Sequence, residues 1–218
     1  MNQLAQKLGL SPHVQFHDVY TLDSNPHIPR PALALLAIIP LTRAWSLTRT
    51  AEDTNNPTYA GCGPDEPVIW FKQTIGNACG SIGLLHSVIN GPAAEFIIPG
   101  SKLDDIRHRA IPLSVAERAD MLYHHGGFEA AHRAVEEVGD TRASEGDGHA
   151  GLHFVAFVKA RGRLWELEGA RGGPLDRGGL GEDEDVLSSR ALELGIKRVM
   201  GGGEEGDLRF SCLALAAV

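Results

Sequence analysis

Two apolar segments joined by a short turn constrain the fold of this chain more than any other feature. Residues 153–158 (His-Phe-Val-Ala-Phe-Val) and 163–168 (Arg-Leu-Trp-Glu-Leu-Glu) lie on either side of residues 160–162, Ala-Arg-Gly. Strand-forming runs that flank a glycine-containing turn are typical of a β-hairpin. Because helical segments are interspersed with this antiparallel hairpin, the pattern favours an α+β fold over a doubly wound parallel sheet.

Periodicity and stop signals place the other elements. Further strands are predicted over residues 14–20, 33–39 and 208–218, and the unbroken apolar run 33–39 suits a strand buried on both faces. Helices are predicted over residues 2–8, from 79 to a stop at 90–92, over 115–123 with a capping box, near 129–138, and over 189–200. The polar segments 50–67 and 139–151 are predicted to be loops.

Length and charge narrow the class of protein. The chain has 218 residues, enough for one domain with a sizeable core, and we expect a single domain over residues 1–218. The formal charge of −8 disfavours a nucleic-acid partner, and the longest apolar run is too short to cross a membrane. Three cysteines do not suggest a disulfide framework. We therefore expect a monomer in a reducing, cytoplasmic setting, with the nucleus as a second location.

Cys79 is the first candidate for chemistry. It follows Gly76, Asn77 and Ala78 and opens an apolar-periodic helix. The unpaired N–H groups and the positive dipole at a helix N-terminus favour a thiolate, and the same N–H groups can receive an oxyanion. Cys62 has no such helix after it, and Cys212 is predicted to lie in the core of the last strand.

A thiolate nucleophile needs a base, and His153 is the best candidate among ten histidines. It opens a strand directly after a glycine-rich loop, where an imidazole either faces a cleft or merely begins the strand. His86 lies two turns along the helix from Cys79, too far to reach the thiol. The remaining eight lie in polar contexts and are predicted to be solvated: His13, His17, His27, His108, His124, His125, His132 and His149.

An acid and an amide complete the candidate site. Antiparallel pairing brings Glu168, at the end of the second hairpin strand, near His153, where a carboxylate could orient the imidazole. Glu166 projects to the same side and is predicted to be a solvated residue of the strand. Gln73 lies six residues before Cys79, where its amide could donate to an oxyanion, although a glutamine at such a spacing is usually just a surface residue.

These residues lie in segments that resemble the ubiquitin C-terminal hydrolases, the papain-like cysteine deubiquitinases, in their short single-domain members. The similarity covers nearly the whole chain. Its main motifs are Gln73-Thr-Ile-Gly-Asn-Ala-Cys79-Gly-Ser-Ile-Gly-Leu-Leu-His86 and the segments 153–158 and 164–169. Shorter matches are found at residues 8–10, 16–20, 29–31 and 208–210.

The resemblance implies roles for these residues. Cys79 would be the nucleophile, His153 the general base and Gln73 part of the oxyanion hole. The substrate would be the bond after the C-terminal glycine of ubiquitin, and no metal or cofactor would take part. The implied fold is an antiparallel sheet flanked by helices, with a knotted backbone. In the family, the loop corresponding to residues 139–151 crosses over the active site and limits what passes.

Two departures from the family bear on activity. The family's third catalytic residue is Asp, whereas this chain has Glu168, whose side chain is one methylene longer. Because this carboxylate orients the base without reacting, we expect weakened rather than absent activity. We do not favour Asp176 as a substitute. Family members also begin with a short segment that supplies an edge strand and a ubiquitin contact, whereas this chain opens in the first helix. Either that strand is lost or the given start is internal.

Three hypotheses follow. The leading one is a cysteine hydrolase that acts on ubiquitin C-terminal esters and amides. The alternative is a ubiquitin-binding protein with weak or no turnover, owing to Glu168 and the missing start. The third is hydrolysis of a related ubiquitin-like modifier.

The charge of the chain is consistent with a ubiquitin substrate. Acidic side chains in or beside the crossover segment, residues 139–151, would steer the basic ubiquitin tail toward the cleft: Glu136, Glu137, Asp140, Glu145 and Asp147.

Overall fold

A single antiparallel sheet of six strands organises the described part of the chain. In this computed structural model, residues 1–56, 58–136, 152–201 and 210–218 are described. The strands are β1 (Val14–Val19), β2 (Ala34–Pro40), β3 (Leu152–Ala160), β4 (Arg163–Leu167), β5 (Leu175–Gly179) and β6 (Ser211–Ala217), in the order β1-β6-β2-β3-β4-β5. Every neighbouring pair is antiparallel. The predicted hairpin is β3–β4, and the α+β class is confirmed.

Helices cover both faces of this sheet. They are α1 (Asn2–Leu8), α2 (Arg43–Asn55), α3 (Cys79–Ile89), α4 (Lys102–Ala110), α5 (Val115–Tyr123), α6 (Gly126–Glu136), α7 (Ser189–Leu194) and α8 (Ile196–Gly201), with a 3-10 helix at Gly91–Phe96. Two predicted boundaries have the expected local chemistry. Helix α1 ends at Gly9, whose φ of 110° is the left-handed conformation that glycine adopts readily, and α5 begins with the capping box of Ser114 and Glu117.

Strand β2 separates two apolar cores. Its side chains alternate between them: Ala34 and Leu36 face one core, whereas Leu35, Ala37 and Ile39 face the other. The first core is filled by α1 and α3–α6, and the second by buried residues of α2, α7 and α8. The prediction of a strand buried on both faces is therefore confirmed.

The predicted loop over residues 50–67 is wrong at its start, because α2 continues to Asn55. Thr42 caps the start of the helix, because its side chain accepts a hydrogen bond from the backbone N–H of Trp45. Near its end, Glu52 and Asp53 form ion pairs with Arg171, which lies in the turn after β4. These ion pairs join residues more than a hundred positions apart and stabilise the last turn of α2. The sequence of that turn is as polar as that of a loop, which is why it was predicted to be one.

Other boundaries differ by a few residues. The helix predicted over 189–200 is two helices, because the backbone breaks at Gly195. The first strand ends at Val19, and the sixth helix begins at Gly126 rather than at residue 129, whereas its predicted end at 138 lies outside the described residues. Strand β6 starts at Ser211, and the predicted start at 208 lies outside the described residues. So does the crossover segment 139–151, with the knotted threading that it would form.

Two glycines let α3 lie close against the sheet. A Cβ added at Gly83 would lie 2.9 Å from Leu36 Cδ1 and 3.2 Å from Phe154 Cβ, and one at Gly80 would lie 3.3 Å from the Phe154 ring. Because these positions carry no side chain, the first turns of α3 pack directly on β2 and β3. This packing brings the start of α3 beside the start of β3.

Candidate active site

Cys79 is the first residue of α3, as predicted. The residue before it, Ala78, provides no side-chain cap, and Asn77 has a φ of 57°, a left-handed conformation that Asn tolerates better than most residues. With no capping side chain, the thiol lies at the positive end of the helix beside backbone N–H groups that are left over in any first turn. The side chain is partly exposed, so a substrate can reach it.

His153 and Glu168 form a hydrogen-bonded pair at the open end of the hairpin. The register pairs Ala156 with Leu167, so Glu168 follows the last paired residue of β4 and faces the start of β3. His153 Nε2 lies 2.7 Å from Glu168 Oε1, which also accepts a hydrogen bond of 2.8 Å from the backbone N–H of Ala170. The prediction that Glu168 comes near His153 is confirmed, and the longer side chain does reach the imidazole.

Cys79 and His153 are neighbours, because the start of α3 packs against the start of β3. Since Glu168 occupies Nε2, Nδ1 is the ring nitrogen that remains for the thiol. Burial lowers the pKa of His153, but its interactions with Cys79 and Glu168 outweigh burial and raise it to about 9. The imidazole is therefore protonated at neutral pH, as it is in a thiolate–imidazolium pair.

The carboxylate of Glu168 is fully buried and faces two arginines. Its second oxygen, Oε2, lies 3.2 Å from Arg49 Nε and 3.6 Å from Arg171 Nε. Burial raises the pKa of Glu168, but the hydrogen bond and charge of His153, together with the charge of Arg49, lower it below its usual range. The group is thus an ionised carboxylate at neutral pH, which is the form that orients an imidazolium.

Helix α2 contributes two residues that the sequence did not single out. The Trp45 ring lies 6.0 Å from the His153 ring, and the guanidinium of Arg49 lies 5.2 Å from the centre of the Trp45 ring. Their spacing of four residues puts them on one helical face, which is the signal that could have revealed them.

An extended segment beside α3 positions Gln73. Asn90, which ends α3, hydrogen bonds to both backbone groups of Ile69, and His86 Nε2 accepts a hydrogen bond of 3.0 Å from the backbone N–H of Phe71. The backbone N–H of Gln73 then donates to Gly169 O at 2.8 Å. The segment is therefore held between the helix that carries Cys79 and the turn that follows Glu168.

The side chain of Gln73 retains hydrogen-bonding capacity. Its Oε1 is buried without a hydrogen-bond partner among the described residues, and its amide nitrogen makes one long contact of 3.5 Å to Ile75 O. A weakly engaged amide is suited to rotating toward an oxyanion. The oxyanion role of Gln73 stays a prediction.

His86 has a structural role, in line with its exclusion from the site. The side chain is completely buried, and burial lowers its pKa to about 4 despite the charge of Glu168. The neutral ring accepts a hydrogen bond from the backbone N–H of Phe71. It therefore fixes the Gln73 segment without approaching the thiol.

The prediction that Glu166 is solvated is wrong. Its carboxylate is buried, 2.7 Å from Arg177 and 3.4 Å from Arg171, and Arg177 is also 2.8 Å from Glu52 of α2. This ion-pair network covers the face of β4 that was expected to meet water. Asp176, in contrast, pairs with Arg163 at the sheet edge, 2.5 Å away, and is no substitute for Glu168.

The prediction that His125 is solvated is also wrong. It is buried, lies 3.0 Å from Asp105, and interacts with the backbone N–H of Phe128. His17 and His132 are half-buried, and His132 Nδ1 lies 2.8 Å from Ser81 Oγ. His13, His27, His108 and His124 are exposed as predicted, and His149 lies outside the described residues.

Other predicted features can be placed directly. Cys212 lies in the core, as predicted, where burial raises its pKa to about 12, whereas Cys62 is an exposed free thiol. Within the described ranges, no group of three or more His, Cys, Asp or Glu side chains is arranged to hold a metal ion. The helices among these residues include none with the length and apolar character needed to cross a membrane.

Comparison with known proteins agrees with this geometry. Residues 1–201 match the family model "Ubiquitin carboxyl-terminal hydrolase, family 1". Ubiquitin carboxyl-terminal hydrolase 3 of Arabidopsis thaliana is 35% identical over 219 residues, covering 99% of this chain and 89% of that protein. Ubiquitin carboxyl-terminal hydrolase isozyme L1 of Sus scrofa is 33% identical over 217 residues, covering 99% and 93%.

A solved structure shows the same fold. The Trichinella spiralis UCH37 catalytic domain, bound to ubiquitin vinyl methyl ester, aligns with a TM-score of 0.75 at 20% identity, covering 100% of this chain and 90% of that one. The family-model match extends over most of the chain, and the sequence relatives align over nearly all of it. The chain therefore belongs to the ubiquitin carboxyl-terminal hydrolase family.

Proposed function

We propose that this chain is a cysteine hydrolase that cleaves the bond after the C-terminal glycine of ubiquitin. One observation carries the proposal: Cys79, at the N-terminus of a helix that packs on the start of β3, lies beside an imidazole that is itself bonded to a buried carboxylate, in a chain of this family. The thiol, the base and the orienting acid thus form one connected unit. This connection favours turnover over a role in ubiquitin binding alone.

The first half of the reaction is acyl transfer. The Cys79 thiolate attacks the carbonyl carbon of the terminal glycine, and the carbonyl oxygen becomes an oxyanion. The backbone N–H of Cys79 and the Gln73 amide would stabilise that oxyanion. His153, protonated at neutral pH, then donates its proton to the leaving amine or alcohol as the bond breaks. The product is a thioester between Cys79 and ubiquitin.

The second half is hydrolysis of this thioester. His153, now neutral, accepts a proton from a water molecule, whose oxygen attacks the thioester carbonyl. The tetrahedral intermediate expels the Cys79 thiolate and releases ubiquitin with a free carboxylate, leaving the imidazolium again. Glu168 remains ionised throughout and holds the ring by its 2.7 Å hydrogen bond.

The names of the relatives support ubiquitin as the substrate. The sequence relatives are ubiquitin carboxyl-terminal hydrolases, and the Trichinella domain was solved with ubiquitin vinyl methyl ester. The acidic residues expected to steer a basic tail lie mostly outside the described residues. Discrimination between ubiquitin and related modifiers therefore belongs to experiment.

Hydrolysis of a fluorogenic amide at the C-terminus of ubiquitin tests the proposal. Wild-type protein should release the fluorophore, and Cys79→Ser should abolish release, whereas Cys62→Ser, a matched change at an exposed thiol, should have no effect.

In the same assay, Gln73→Ala should lower kcat by about 100-fold with KM nearly unchanged, because an oxyanion donor acts on the transition state. Absence of turnover on ubiquitin, with turnover on another modifier in the same assay, would reassign the substrate.

Location and oligomeric state are part of this proposal. We propose a monomer in the cytoplasm and nucleus, and the three free cysteine thiols, which suit a reducing compartment, support the location. Analytical ultracentrifugation and a fluorescent fusion in cells test the two statements. A sedimentation coefficient typical of a dimer, or a secreted fusion, would contradict them.

A further inference from the structure

The two oxygens of Glu168 have different partners. Oε1 is bonded to His153 Nε2 at 2.7 Å and to the backbone N–H of Ala170 at 2.8 Å. Oε2 faces the Nε atoms of Arg49, at 3.2 Å, and Arg171, at 3.6 Å. The side chain is fully buried, and among the described residues Oε2 accepts no hydrogen bond, so the arginine charges are what act on that oxygen.

Distances separate the contributions of the two arginines. Arg171 is engaged mainly elsewhere, at 2.7 Å from Asp53 and 2.9 Å from Glu52, and Glu168 is its most distant acidic partner. For Arg49 the order is reversed: Glu168 is nearer than Asp53, which lies 3.7 Å away. Arg49 is therefore the arginine whose principal carboxylate partner is Glu168.

Helix α2 holds the Arg49 side chain in place. Its guanidinium lies over the ring of Trp45, one helical turn earlier, and donates a hydrogen bond to Ala170 O. Trp45 is itself buried against the His153 ring. One turn of α2 thus contacts both members of the imidazole–carboxylate pair, the ring through Trp45 and the carboxylate through Arg49.

We propose that Arg49 is a positioning residue for hydrolysis, holding the second oxygen of Glu168 so that the first stays on His153. A glutamate has one more rotatable bond than an aspartate and so has more orientations to lose when it is fixed. An ion pair on Oε2 restricts that added freedom. The inference rests on the proposed function where it concerns ubiquitin cleavage, but its effect on the thiol can be measured without ubiquitin.

The test compares three variants on α2. Arg49→Gln removes the charge, Arg49→Lys keeps it on a differently shaped group, and Arg43→Gln makes the same change at an exposed arginine of the first turn. For ubiquitin-amide hydrolysis we expect Arg49→Gln to lower kcat about tenfold and Arg49→Lys about threefold, with KM within about twofold, since misorientation acts on the chemical step. Arg43→Gln should behave as wild type.

Alkylation by iodoacetamide at pH 7 gives a readout that a purely structural role would not change. Peptide mapping reports the rates at Cys79 and, as an internal reference, at the exposed Cys62. We expect Arg49→Gln to slow alkylation of Cys79 severalfold and to leave that of Cys62 unchanged. If wild type fails to cleave ubiquitin but this difference persists, the proposed function fails and the positioning role stands.

A double-mutant cycle completes the test. In a Glu168→Gln background, where the carboxylate is gone, Arg49→Gln should have less than about a twofold further effect on either rate. Equal losses in both backgrounds, or an unchanged kcat and Cys79 alkylation rate in Arg49→Gln, would overturn the inference. Thermal unfolding checks that each variant is folded. If Arg49→Gln does not fold, the cycle is run with Arg49→Lys, whose threefold loss in kcat should be absent in the Glu168→Gln background.

Discussion

At the scale of single residues, the main departure in the site is a glutamate, Glu168, where the family resemblance implies an aspartate. Its extra methylene predicted weakened activity. In the structure the carboxylate still meets His153 at 2.7 Å, because β4 ends just before it and Ala170 holds the same oxygen. The backbone here is therefore adapted to glutamate.

This adaptation predicts the effect of restoring aspartate. In Glu168→Asp the carboxylate would withdraw by about one C–C bond length, ~1.5 Å, from His153. We expect kcat/KM for a ubiquitin amide to fall at least about tenfold, because loss of this hydrogen bond frees the imidazole. A rise in kcat/KM would instead identify Glu168 as the weak point of the enzyme, as the sequence alone suggested.

The raised pKa of His153 predicts the alkaline limit of activity. Its imidazolium persists to about pH 9, so kcat/KM should fall above that pH as the proton needed by the leaving group is lost. Glu168→Gln removes one of the two groups that raise this pKa and should move the alkaline limb to lower pH. An alkaline limb that does not move in a pH–rate profile of the two proteins would rule out this electrostatic role.

The raised pKa of His153 also makes the free energy of unfolding depend on pH. A histidine whose pKa is about 9 when folded and 6.5 when unfolded stabilises the fold fully below about pH 6.5. That contribution is lost as the pH rises through 9. Glu168 has the opposite sign, since its lowered pKa stabilises the fold above its unfolded value and the contribution is lost in acid.

At the scale of elements, a close contact between two backbone segments sets the position of Gln73. A Cβ added at Gly169 would lie 2.9 Å from Gln73 Cβ and 3.0 Å from Ile82 Cγ2, whereas one at Gly172 would meet no atom of the described residues within 4 Å. Gly169 therefore admits the Gln73 segment between α3 and the turn after β4.

Substitution at these two glycines tests the placement of Gln73. We expect Gly169→Ala to lower kcat for a ubiquitin amide about tenfold by pushing the Gln73 segment away from Cys79. Gly172→Ala, the matched change in the same turn, should leave kcat unchanged. Equal kcat values for the two variants would show that the position of this segment does not matter for catalysis.

Local patterns predicted the elements that carry the chemistry. The start of α3 at Cys79 follows from its helical apolar spacing, and the approach of Glu168 to His153 follows from strand pairing, since a hairpin with a short turn leaves little choice of register. Both are short-range rules. They were sufficient because the nucleophile opens a helix and the other two residues share one hairpin.

Interactions between distant segments account for what sequence reasoning missed. Glu166 is buried because Arg177 and Arg171 neutralise it, and the last turn of α2 is helical beside those same arginines. Nothing in the local spacing of charges shows which remote arginine each acid will meet. The contribution of Arg49 was hidden for the same reason.

At the scale of the whole molecule, a buried ion pair ties the helical layer to the segment before Gln73. Arg118 of α5 is fully buried, donates to Ala110 O at 2.8 Å and pairs with Glu66, which also accepts a hydrogen bond of 2.6 Å from Tyr59. We expect Arg118→Met to lower the free energy of unfolding in urea by about 3–5 kcal/mol, because Glu66 would be left buried and unpaired.

A second substitution distinguishes a lost ion pair from a packing defect. Adding Glu66→Leu to Arg118→Met removes the unpaired charge and should recover part of the lost stability. A loss below about 1 kcal/mol in the single variant, or a further loss in the double variant, would contradict this assignment.

The proposed chemistry depends on Cys79 being a nucleophile that a ubiquitin C-terminus can reach. Incubation with ubiquitin vinyl methyl ester, followed by intact-mass analysis and peptide mapping, measures this most directly. The predicted result is one ubiquitin per chain, attached to Cys79, with the adduct absent in Cys79→Ala and formed much more slowly in His153→Ala. No adduct on folded wild-type protein, or an adduct at Cys62 that persists in Cys79→Ala, would contradict it.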